Sequence, residues 1–126
     1  MRHRILFAVF AFALGIGLLW TAPAFADKAA ATIEAPAEAA KGSEITIRVT
    51  VTHNGNSDRH YVEWAKILVN NKEIAKWEYS SSKLPEGVPF TREVKYKAEG
   101  NIEVKAEASC NVHGGRGLSV VKISVK

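Results

Sequence analysis

"SEITIRVTVTH", residues 43–53, decides the fold. Ile45, Ile47, Val49 and Val51 alternate with Glu44, Thr46, Arg48 and Thr50. A period of two places the aliphatic set on one face of an extended chain, which predicts a half-buried β-strand. His53 continues the apolar parity one step past Val51, so the strand aims an imidazole along its inner face just where a turn-rich loop, "NGNSDR" (54–59), begins.

The same pattern extends outward from this segment. "HYVEWAKILV" (60–69) starts a strand at His60, with Val62 and Trp64 on one parity, and Trp64 is expected in the core. The asparagines at 70 and 71 turn the chain into "EIAKWEY" (73–79) as a hairpin. A polar loop with two prolines leads to "FTREVKYKA" (90–98), and "IEVKAEAS" (102–109) follows. Cys110 continues the apolar parity of Ile102, Val104, Ala106 and Ala108. "LSVVKISVK" (118–126) closes the set, and "ATIEA" (31–35) precedes it. Seven short strands predict an all-β, seven-stranded antiparallel immunoglobulin-like β-sandwich. The alanine-rich stretch from 27 to 42 is expected to hold no stable helix, because it is short and carries Pro36.

Ahead of these strands, Arg2 and Arg4 precede an apolar run from Ile5 to Trp20, and Ala24 and Ala26 supply small residues. This is the pattern of a cleaved secretory signal, expected over residues 1–26. One domain, 27–126, remains, and the protein is expected to be periplasmic or extracellular with no stable membrane partner after cleavage. Removing the leader lowers Lys plus Arg from 17 to 15 against 13 acidic residues, a net charge of +2. That balance is too weak to imply a nucleic-acid partner.

Cleavage also leaves three histidines, His53, His60 and His113, with the single cysteine, Cys110. One cysteine cannot form an internal disulfide, so in an oxidising compartment it is paired between molecules, reactive, or ligated. In a sandwich of this topology the loop carrying His53 and His60 lies at the same end as the loop carrying Cys110 and His113. A thiolate with imidazoles is a transition-metal donor set: iron, copper or zinc.

"HNGNSDRHYVEWAKIL" (53–68) followed by "CNVHGG" (110–115) resembles the iron domain of the desulfoferrodoxin and neelaredoxin family, the superoxide reductases. The resemblance implies an immunoglobulin-like sandwich and a mononuclear non-haem iron that reduces superoxide to hydrogen peroxide. It also implies an external electron-donor protein, and it agrees with the strand pattern. Carried over by motif, His53, His60 and His113 are equatorial ligands, Cys110 the axial one, and Lys28 the lysine that attracts superoxide. Arg59 and Arg116 are further candidates for that attraction, and Ser109 and Asn111 for hydrogen bonds to the sulfur. Ala29 stands where the family has a fourth histidine, and Glu34 and Asp58 are conceivable replacements. The competing readings are a cupredoxin-like copper electron-transfer protein, a metal carrier or structural zinc site, and a binding module with no metal.

Overall fold

The computed structural model describes residues 28–126, all of them strand, turn or loop. The leader expected over residues 1–26 lies outside the described residues. The strands are β1 (Ala30–Glu34), β2 (Glu38–Ala39), β3 (Glu44–Thr52), β4 (Val62–Val69), β5 (Lys72–Glu78), β6 (Phe90–Lys97), β7 (Ile102–Cys110) and β8 (Ser119–Val125). They form two sheets, β1-β3-β6 and β2-β8-β7-β4-β5.

Each of the seven sequence-derived strands has its counterpart, and β2 is an eighth. Its two residues pair in parallel with Ser124 and Val125, so the sheet it joins is not wholly antiparallel. β2 follows Pro36 and forms only because β8 offers it an edge.

β3 is regular along its whole length. It pairs antiparallel with β1 and β6, with Val51 opposite both Ala31 and Phe90. Ile45, Ile47, Val49 and Val51 are buried, and their partners along the strand are not. They pack against Ile67, Val104, Ala106 and Ile123 from the other sheet in one core. Removing each such side chain from water contributes about 1.5–3 kcal/mol.

β4 departs from alternation. Val62 lies opposite Cys110 of β7, but Trp64 lies opposite the adjacent Ser109, so two steps on β4 match one on β7. Glu63 is the extra residue of a bulge, and beyond it the parity is reversed. Ala65, Ile67 and Val69 therefore face the core. Trp64 is not a core residue. It lies half-buried on the outer face, its ring 4.9 Å from Lys66 Nζ and 5.5 Å from Lys76 Nζ. The β4–β5 hairpin turns at Asn70 and Asn71, whose φ values of 50° and 67° suit a primed turn.

Candidate metal centre

The loops 53–61 and 111–118 meet at one end of the sandwich. Asn111 N–H donates to Tyr61 O at 3.0 Å, extending the β4–β7 ladder past its formal end. Beyond it the chain closes a tight turn, with Cys110 N–H donating to Gly114 O at 2.9 Å and Gly114 N–H to Cys110 O at 3.1 Å. Gly115 then passes so close to Ala108 that a side chain there would collide with the Ala108 carbonyl oxygen.

Cys110 is buried at the end of β7. Its Sγ receives the Val112 N–H at 3.3 Å and the His113 N–H at 3.5 Å, as a backbone turn around a sulfur would arrange. His53, His60 and Cys110 place one ligand atom each within 4.8 Å of one another. His113 joins them through its Nδ1, 3.3 Å from His60 Nε2. The His53 and His60 rings meet edge-on with centroids 4.6 Å apart, and the His60 and His113 rings do so at 5.1 Å.

Gly55 orients two of these rings. Its carbonyl accepts the His53 Nδ1–H at 2.7 Å, which fixes the tautomer and leaves Nε2 as the basic nitrogen. That buried Nε2 makes no hydrogen bond among the described residues. A Cβ at Gly55 would lie 2.7 Å from His60 Nδ1, so only glycine leaves the ring its present place. The sequence showed Gly55 merely as a turn residue.

The donor set suits a transition-metal ion: imidazole nitrogens with a lone pair to give, and a cysteine sulfur.

Other sequence candidates fall differently. Ala29 is buried against the turn, its N–H donating to Gly114 O at 3.2 Å and its carbonyl accepting the Arg116 N–H at 2.9 Å. This brings the chain at Lys28 and at Arg116 to the same end, where Arg59 lies exposed in the other loop. Glu34 is removed from it, at the far end of β1 opposite Arg48. Asp58 is exposed and outside the donor cluster. Ser109 does not reach the sulfur; its hydroxyl donates to the Glu63 carboxylate at 3.2 Å. Asn111 is spent mostly on backbone, its Oδ1 lying 3.9 Å from Sγ.

A second polar group braces the histidine loop from behind. Asn56 Nδ2 donates to Pro85 O at 3.2 Å. One residue on, Glu86 receives both terminal nitrogens of Arg92, at 2.7 and 2.8 Å. These hydrogen bonds hold the Glu86 carboxyl down at about 2. Burial pushes the neighbouring Tyr79 hydroxyl up, opposed by the Arg92 charge.

The family model for desulfoferrodoxin matches residues 21–115. Among solved structures, a superoxide reductase (neelaredoxin) from Ignicoccus hospitalis superposes with a TM-score of 0.66 at 19% identity, over 79% of this chain and 82% of that one. A candidate superoxide reductase from Thermotoga maritima gives 0.63 at 24%, over 77% and 86%. The sulfur carrier protein SoxY from Chlorobium limicola gives 0.56 at 15%, over 76% and 78%. The fold is thus shared with a protein of different function, and the chemistry must be argued from the side chains. No curated protein sequence matches the chain.

Proposed function

The chain belongs to the desulfoferrodoxin family, and on that premise we propose that it is a mononuclear non-haem iron protein that reduces superoxide to hydrogen peroxide. The observation that carries the proposal is the convergence of His53, His60 and Cys110 within 4.8 Å, with His113 against His60. These four residues would hold the ion. An iron(II) ion held there would supply the one electron that, with two protons from solvent, turns superoxide into hydrogen peroxide.

The chain's own residues set the conditions for that reaction. The Val112 and His113 amides donate to the Cys110 sulfur and hold it in place, and a thiolate ligand would raise electron density at a metal. Val112 and His113 are exposed, so anion and protons reach this end from bulk water. Lys28 and Arg59, brought to the same end, attract the superoxide anion. An external donor protein restores the electron. Neither Glu34 nor Asp58 substitutes for the imidazole that Ala29 lacks, so the described residues offer the ion one nitrogen fewer than the family pattern.

The strand order supports the immunoglobulin-like description. The basic start, the apolar run and the alanines at 24 and 26 support a leader over residues 1–26, a working domain over 27–126, and a periplasmic or extracellular place of action.

The test is anaerobic titration with iron(II), followed by oxidation. One iron per chain and a sulfur-to-iron charge-transfer band that Cys110→Ser abolishes are expected. Iron binding unchanged by replacing the three histidines would refute the reading. One observation favours a second reading: the tightest cluster is two imidazoles and one thiolate, the core donor set of copper electron-transfer sites. Intense visible absorption with copper(II), and no superoxide consumption by the iron form, would select it.

A further inference from the structure

Asn111 sits between Cys110 and the rest of the turn, and its side chain points across to the other loop. Its Oδ1 accepts the Tyr61 N–H at 2.9 Å, and its Nδ2 donates to the Arg59 carbonyl at 3.1 Å. Its own N–H donates to Tyr61 O at 3.0 Å. Arg59 and Tyr61 are the two residues flanking His60. One residue bonded to Cys110 in the chain therefore grips the backbone on both sides of His60, through three hydrogen bonds that span some fifty positions of sequence.

We infer that Asn111 is a positioning residue that sets His60 relative to Cys110 before any ion arrives. The inference rests on the metal reading above for its consequence, but not for its geometry. The carboxamide is the one group of this size with a donor and an acceptor side by side, as an antiparallel partner strand would present them. It continues the β4–β7 pairing beyond Val62 and Cys110, the last paired residues of the two strands. Without it, Tyr61 N–H and Arg59 O turn to water, the loop gains freedom, and the His60 ring must be ordered at the moment of binding. Partners that orient a ligand without touching the metal are typically worth about 10–100-fold in affinity.

The experiment compares the wild type with Asn111→Ala and Asn111→Asp. Asp keeps an oxygen for Tyr61 N–H and loses the donor to Arg59. In the metal-free protein, Asn111→Ala is expected to speed exchange of the Tyr61 amide proton about tenfold or more and to shift the His60 imidazole nitrogen resonances. Asn111→Asp is expected to restore the amide protection. With iron(II) or cobalt(II) as the probe, Asn111→Ala should weaken binding about 10–100-fold. Unchanged Tyr61 exchange and His60 resonances in Asn111→Ala would overturn the inference. So would a wild-type affinity and spectrum in that variant. If the wild type binds neither ion, the metal reading fails, and the metal-free measurements still decide the positioning role.

Discussion

β3 and β4 reach the same end of the molecule by different means. β3 keeps an unbroken alternation from Glu44 to Thr52 and delivers His53 in line with its buried face. β4 begins with a bulge at Glu63, directly beside Cys110, and everything after that residue has switched sides. The regular strand gives the core its stability. The irregular one shifts its register beside Cys110, two residues from His60. A bulge next to a site is a device for aiming a side chain, and here it moves Trp64 out of the core as it does so.

The largest expected effect sharpens the β3 side. Ile47→Ala empties a fully buried position at the middle of the strand and should cost about 2–5 kcal/mol in denaturant unfolding. Next comes the loop that β3 feeds. Gly55→Ala drives a methyl group to within 2.7 Å of His60 Nδ1, a contact that only ring movement relieves. It should cost about 1–3 kcal/mol and weaken iron(II) binding measurably by titration. Retention of wild-type affinity would mean that the His60 ring has no fixed place.

The β4 side is broken or upheld by Trp64→Ala. On the outer face the ring loses its contacts with Lys66 and Lys76, about 1 kcal/mol. A core tryptophan would cost about 3–5 kcal/mol, and that result would contradict the bulge.

The smallest effect concerns the brace behind the histidine loop. Glu86, held at about 2 when folded against an ordinary 4.5, stabilises the fold fully above pH 4.5 and progressively less as the pH falls toward 2. Glu86 is largely exposed, so the whole contribution of the pair is no more than about 1 kcal/mol. Arg92→Met should flatten that part of the acid-stability curve and lower stability above pH 4.5 by up to the same amount.

The same comparison explains what could be read in advance. The alternation of β3 and β7 is a local property, so their buried residues and the inward placement of His53 and Cys110 were legible from the sequence. The convergence of the two loops followed from strand order. Trp64 was misplaced because "VEWAKI" alternates equally well with or without an extra residue, and only pairing with β7 decides. β2 was invisible for a similar reason: two residues carry no period, and their strand exists because β8 has an open edge. Asn111 was visible as a polar neighbour of the sulfur, but its partners lie fifty positions away. The histidines and the cysteine themselves stood out because these residue types occur nowhere else in residues 27–126.

The most direct measurement is the X-ray absorption fine structure of protein loaded with one iron(II) per chain. One sulfur and three imidazole nitrogens in the coordination shell are predicted, with the sulfur contribution absent in Cys110→Ser. A shell of nitrogen and oxygen alone in the wild-type protein would contradict the assignment of these two loops as one metal site.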